Sequence, residues 1–274
     1  MIIGGSAGLG FETALQLARR GYDVTITGRD ELKLESAANT IGAQVPGVLV
    51  RAISLNLADL SEVEESATAI KSGPRIDLLV ANAGAKIESP MKATAQGFEW
   101  HMGVNHLGHF ALIANLEQHL ATDARVVTIA SIVARRGDSR GINSASNLAL
   151  SPGVAYANSK LANLMFALEF NARATAAGLE VSATAAHPGF ARASAYGSKF
   201  VRFGEYLAAQ SARRGSLPLV EAAFAAPGNY LGPRVFELWG SPTQARIPHQ
   251  AKDDAVLAQF WTESERLTGL TLFS

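Results

Sequence analysis

Two rhythms alternate along this chain. Short runs in which almost every residue is apolar or β-branched give way to longer stretches where apolar residues recur three and four apart. The first rhythm predicts strands buried on both faces, at 1–3, 22–27, 47–55, 76–81, 124–131, 179–187 and 233–239. The second predicts amphipathic helices. Phe11, Ala14, Leu15 and Ala18 share one face, and so do Val63, Ala67 and Ile70. The stretches 98–120 and 155–177 are long enough to be helices, the second opening on Ser151-Pro152 as a start signal. Strands alternating with helices predict an α/β fold: one doubly wound, Rossmann-type parallel sheet of about seven strands with helices on both faces. No repeat, linker or low-complexity block divides the chain, so residues 1–274 are expected to form a single domain.

Two segments interrupt the rhythm. Residues 135–153 are rich in Ser, Gly and Asn. Residues 190–232 carry Gly197, Gly204, Gly215, Pro218, Pro227 and Gly228 among aromatic residues. Long irregular insertions in compact α/β domains are often lids or binding loops, and 190–232 is expected to be one. Within it Tyr196, Phe200, Phe203 and Leu207 follow helical spacing. That stripe either closes over a bulky apolar substrate or packs on the sheet or on another subunit.

Composition narrows the picture. The chain has 274 residues, 48% of them hydrophobic, and a formal net charge of +0. A neutral chain offers no electrostatic reason to expect nucleic acid or an anionic membrane surface as partner. With no cysteine there is no disulfide and no thiolate metal site, which fits a reducing, cytoplasmic setting. No apolar run reaches the roughly 18 residues of a membrane span, and the start shows no signal-peptide pattern.

The first chemical signal lies at the first strand-to-helix junction. "IIGGSAGLG" places Gly4, Gly8 and Gly10 in the spacing G-x-x-x-G-x-G. Such a turn lets backbone approach a dinucleotide pyrophosphate closely, while a helix N-terminus offers unpaired N–H groups. Gly4, Ser6, Ala7, Gly8, Leu9 and Gly10 are the candidate phosphate-binding residues. A tight turn without a ligand is the bland alternative.

Further marks follow in order: "ANAG" at 81–84, "NHLGHF" at 105–110, "TIAS" at 128–131, "YANSK" at 156–160 and "HPG" at 187–189. With the glycine turn, this ordered set resembles the short-chain dehydrogenase/reductase family. "NHLGHF", "YANSKLAN" and the tail "LAQFWTESERLTGL" are similar to its branch of retinol dehydrogenases and WW-domain oxidoreductases. The 25-residue gap from Ser131 to Tyr156 also suits that branch. Ile3 stands where the family pattern has threonine, which removes a hydrogen bond near the turn. The resemblance implies that Asn82, Ala83, Gly84, Pro188 and Gly189 border the cofactor. It also implies that Asn105 completes a proton relay near Lys160. After Pro188-Gly189 many relatives carry a hydroxyl residue, where this chain has Ala193 and then Ser194.

Tyr156 and Lys160 are four apart and share a helix face. A free phenol titrates near 10, too high for efficient proton exchange at neutral pH. A neighbouring ammonium is expected to lower it. Tyr156 is then the general acid/base, Lys160 its tuner and, by resemblance, a holder of the nicotinamide ribose. Ser131 is expected to hydrogen-bond the substrate oxygen.

An acidic residue at the end of the second strand would favour NAD by binding the ribose 2′-hydroxyl. The chain has Arg29 there, with Asp30 read as the cap of the next helix, so NADP(H) is favoured over NAD(H). Asn56 and Leu57 stand where adenine contacts are expected. His101, His106, His109 and His119 crowd one region without a third ligand at metal spacing, so no metal site is expected. His187 is read as ordering a strand end, and Arg135-Arg136 and Arg213-Arg214 as surface pairs.

These readings converge on an NADP(H)-dependent alcohol dehydrogenase or carbonyl reductase acting on a lipophilic small molecule. Two alternatives stay open: reduction of a conjugated carbon–carbon double bond, and a nucleotide-binding sensor without turnover. Self-association through 98–120 and 155–177 is compatible with "ALEFNARA" but not demanded by it.

Overall fold

The computed structural model describes residues 1–85, 92–191 and 209–273. The Tyr196–Leu207 stripe, Ala193 and Ser194 lie outside these described residues.

The predicted strands assemble into one eight-stranded sheet of order β3-β2-β1-β4-β5-β6-β7-β8. These are β1 (Ile2–Ile3), β2 (Val24–Gly28), β3 (Val50–Ser54), β4 (Ile76–Ala81), β5 (Leu120–Ile129), β6 (Ser182–Ala186), β7 (Tyr230–Val235) and β8 (Trp239–Gln244). The first seven run parallel, and β8 returns antiparallel to β7. The eighth strand is the main departure from the predicted count. The single strand expected at 233–239 instead ends at Val235, reverses through Phe236 and Glu237 at positive φ, and leaves as β8. Pro242 and Gly240 are tolerated in β8 because it is the sheet edge.

Near-continuous apolar strands place alternate residues on opposite faces. Ile3, Leu79 and Val126 join one core cluster, with α3 (Leu60–Lys71), α5 (Gly108–Leu116), α6 (Pro152–Ala176) and α9 (Asp254–Thr268). Ile2, Val80 and Val127 join the other, beneath α1 (Gly8–Ala18), α2 (Glu31–Gln44) and α8 (Leu217–Ala222). Among the described residues, the irregular segment also carries α7 (Ala212–Gly215).

The helix expected over 98–120 is broken into pieces. A short α4 (Trp100–Met102) runs into a π-helical turn (Gly103–Leu107), then α5, then a 3₁₀ turn (Glu117–His119). Gly103 packs against Thr94, and Gly108 packs against the Leu57 carbonyl, closer than any side chain would allow. A single inserted residue in such a turn re-aims the side chains around it, here including Asn105.

The tail helix α9 seals the first core. Trp261 is fully buried, stacked on Phe166 at 5.4 Å and edge-on to Phe110 at 5.3 Å. Its Nε1 donates to Glu265 at 3.0 Å, and the Arg173 guanidinium lies 5.0 Å from its ring. Trp261→Ala is expected to destabilise the protein by about 3–5 kcal/mol in equilibrium denaturant unfolding.

Candidate active site

All parallel strands end on one side, and the strand order reverses between β1 and β4. That switch point is where a crevice opens in sheets of this kind. A cleft of about 860 Å³ lies there, bordered by the loops after β1, β2, β3, β4, β5 and β6.

The β1–α1 turn forms its floor. Gly4 has φ +78°, a left-handed conformation that glycine adopts without strain. A Cβ on Gly10 would lie 2.0 Å from the Gly4 carbonyl oxygen, so only glycine fits there. The Asn82 amide donates to the carbonyls of Ile3 and Gly4 at 3.3 and 3.0 Å, tying the end of β4 to the turn. Ile3 supplies no hydroxyl. Thr27 on β2 does instead, accepting from the Gly4 amide at 3.3 Å. The N-cap of α1 is Ala7, with no side-chain cap and no acidic residue in the first turn. A helix start with bare amides over a side-chain-free floor suits an anionic diphosphate. Gly4, Ser6, Ala7, Leu9 and Gly10 border the cleft, whereas Gly8, the first residue of α1, lines the adjoining hollow between α1 and α2.

Arg29 leaves the end of β2 exposed at the cleft rim. Asp30 is turned away. It caps α2 by accepting from the Lys33 amide at 3.1 Å and pairs with the Lys33 ammonium at 2.7 Å. Asn56 and Leu57 border the same end. The Asn56 oxygen accepts from the Ala58 amide at 3.1 Å, and its amide group donates to Glu62 at 3.0 Å, leaving one lone pair for a ligand.

At the other end α6 presents Tyr156 and Lys160, and the chain leaving β5 presents Ser131. Asn82, Ala83 and Gly84 cross between, with Pro188 and Gly189 opposite. Lys160 is buried. Its ammonium donates to the Ile129 carbonyl at 3.1 Å, and burial lowers its pKa to about 8. The Tyr156 pKa is raised, chiefly by burial, while a hydrogen bond with Ser131 works in the opposite direction. The Lys160 ammonium lies 5.8 Å from the Tyr156 ring centroid. The expectation that the lysine lowers the phenol therefore does not hold in the protein alone. Lost hydration dominates the surroundings of the phenol, and the Ser131 hydrogen bond only partly opposes it.

Asn105 does not border the cleft. Its amide group donates to Ala85 O at 3.1 Å and Ser159 Oγ at 2.9 Å, and its oxygen accepts from the Ala85 amide at 2.7 Å. The π-helical turn thus aims Asn105 at the β4 loop and α6 together, close behind Gly84 and Lys160. Its side chain positions these elements.

The crowded histidines have separate tasks. His109 bonds the Ala83 carbonyl at 2.8 Å, His106 bonds Ser264 at 2.9 Å and His119 bonds the Pro74 carbonyl at 2.9 Å. His101 pairs with buried Glu99 at 2.7 Å and meets Tyr156 edge-on at 5.9 Å. The apolar side of the cleft includes Trp100, Val104, Val133, Val154 and Phe190. No local pattern in the sequence singles out these residues as a wall, because the pocket exists only once the loops meet. Arg135 and Arg136 are more than a surface pair: Arg135 binds Glu237, and Arg136 borders the cleft.

A switch-point crevice floored by a glycine turn defines a dinucleotide-binding fold, and a half-buried tyrosine beside a buried lysine at its far end points to an oxidoreductase. Residues 1–200 match the family model described as short chain dehydrogenase, and the chain belongs to that family. It is an NAD(P)-dependent short-chain dehydrogenase. It is 34% identical to human retinol dehydrogenase 13, over 98% of this chain and 84% of that protein. It is 33% identical to mouse polyprenol dehydrogenase, over 98% and 83%. Among solved structures, an uncharacterized Mycobacterium paratuberculosis protein superimposes with TM-score 0.81 at 36% identity, covering 98% of this chain and 92% of that one. A blue fluorescent protein from a metagenomic library, in complex with NADPH, shares the fold at TM-score 0.65 and 23% identity, over 84% and 93%.

The depressed pKa of Lys160 has a stability consequence. Between the folded value near 8 and the unfolded value near 10.5, the unfolded chain binds more protons, so stability rises with pH. Relative to Lys160→Met, the wild type is expected to gain about 2 kcal/mol between pH 7.5 and 9.5. Urea unfolding of both proteins at the two pH values checks this.

Proposed function

We propose that this protein interconverts a lipophilic alcohol and its aldehyde or ketone, using NADP(H). The carrying observation is the meeting of Ser131, Tyr156 and Lys160 at the apolar end of the cleft. Two relatives named for retinol and polyprenol support a lipophilic alcohol as the substrate class. The apolar wall from Trp100 to Phe190 is of the kind that binds such molecules through buried area.

A nicotinamide supplies the hydride chemistry. The protein supplies orientation and a proton path. Ser131 Oγ donates a hydrogen bond to the substrate oxygen and so favours negative charge developing there. In reduction that oxygen takes its proton from the Tyr156 hydroxyl; in oxidation the phenolate accepts it. In the protein alone burial raises the Tyr156 pKa, while its hydrogen bond with Ser131 works the other way. Lys160, anchored on Ile129, carries a titratable proton beside the same space.

The preference for NADP(H) rests on Arg29 standing at the rim while Asp30 is committed to its helix. A guanidinium pairs with a 2′-phosphate and has no such partner in NAD.

Tyr156→Phe is expected to lower kcat at least about a thousandfold while leaving NADPH binding intact. Steady-state rates across a carbonyl panel, with fluorescence titration of NADPH, check it. Product analysis on conjugated substrates separates carbonyl from carbon–carbon double-bond reduction. NADPH binding without any oxidation across the panel would favour the sensor reading. Arg29→Ala is expected to weaken NADPH binding about tenfold or more and NADH binding little, measured by the same titration.

A further inference from the structure

The hairpin between β7 and β8 touches the cleft from behind. Its turn holds two bulky residues, Phe236 and Glu237, at φ +51° and +57°. Such residues are rare in the left-handed region and stay there only when their surroundings fix them. What fixes Glu237 is visible. Its carboxylate receives Arg135, from the 3₁₀ turn that Ser131 caps (Ile132–Arg136), and the Arg246 amide at 3.3 Å. Its other oxygen accepts from His187 Nε2 at 3.2 Å.

His187 is fully buried and passes the constraint on. The Gly189 amide donates to His187 Nδ1 at 3.2 Å. A backbone N–H only donates, so Nδ1 carries no proton, and the ring proton sits on Nε2, directed at Glu237. The ring is thus neutral and relays a carboxylate to the Gly189 amide. Next to it, the Phe190 amide donates to Leu238 O in the hairpin at 3.1 Å. The Tyr230 ring centroid lies 5.2 Å from that of His187, and its hydroxyl donates to Ser131 O at 3.3 Å. One carboxylate therefore ties together the segment leaving β5, the turn after β6 and the hairpin. Ser131, Gly189 and Phe190 are among the parts of that assembly that border the cleft.

We propose that Glu237 is a positioning residue for the catalytic end of the cleft, acting through His187 on Gly189 and through Arg135 on the segment after Ser131. This rests on the functional reading above, in which that end receives the reacting ring and the substrate oxygen. Glu237 touches neither, and its effect falls on orientation.

The test compares wild type, Glu237→Ala and Glu237→Gln by two independent readouts. Amide hydrogen exchange, followed by mass spectrometry on cofactor-free protein, reports the clamp without needing turnover. In Glu237→Ala, exchange in peptides covering 186–191 is expected to rise at least severalfold, with the α1 peptides unchanged. In kinetics with NADPH and a reducible carbonyl, kcat is expected to fall about tenfold or more while the NADPH dissociation constant stays within about threefold. The adenosine end lies on other loops, which is why binding and rate separate. Glu237→Gln keeps an acceptor for His187 and is expected to recover most of the exchange protection and of kcat. Unchanged exchange at 186–191 in Glu237→Ala overturns the clamp whatever the enzyme does. Raised exchange with unchanged kcat overturns the positioning role. Should Glu237→Ala not fold, Glu237→Gln losing as much protection as it loses global stability, with kcat and NADPH affinity falling together, overturns it too. A wild type that binds no dinucleotide refutes the functional reading instead, and leaves the exchange result standing on its own.

Discussion

The cleft depends on one close approach of backbone to backbone. The β1–α1 turn lies against the end of β4 so tightly that no Cβ fits on Gly10, and the Asn82 amide fastens the two carbonyls at that contact. The contact fixes where α1 begins and therefore where its uncapped amides point. It also fixes Ala83 and Gly84, behind which Asn105, His109 and Lys160 are packed. β1 is only two residues long, but it is hydrogen-bonded on both sides, by β2 and β4, and that pairing holds the turn in place.

The catalytic end is built at the expense of stability. Lys160 is an ammonium taken out of water that donates to the Ile129 carbonyl, and Tyr156 is a phenol whose ionised form is disfavoured. The buried ammonium costs folding free energy, whereas the phenol is neutral in the folded and unfolded chain alike near pH 7. The protein offsets the lysine with two continuous apolar layers and with the aromatic cluster of Phe110, Phe166, Phe170 and Trp261 that anchors the far side of α6. α6 can therefore hold a desolvated charge over the cleft because much of its length is anchored in the core.

Support for the site is layered. Residues that border the cleft come mostly from strand ends and from the start of α6, while several that hold them come from distant segments: Asn105 from a π-helical turn, His187 from the end of β6 and Glu237 from a hairpin near the end of the chain. Similarity to relatives extends over nearly all of this chain, as a site assembled from the ends of the first six strands requires.

The sequence by itself determined the α/β class, most of the strand positions, the glycine turn, the Tyr–Lys spacing and the role of Asp30 as a cap. Each of these is a local property: strand burial shows as an apolar run, a helix face as a spacing, and a turn as glycine. The tertiary structure decided what depends on distant segments meeting. The eighth strand needed the left-handed reversal at Phe236 and Glu237, which apolar patterning cannot show. The break in the 98–120 helix came from glycines packing against Thr94 and Leu57. The Tyr156 pKa moved opposite to the expectation because desolvation, unlike an i, i+4 spacing, is set by everything packed around the group. His109, His187 and Arg135 found their partners only across the fold, where sequence separation carries no record of distance.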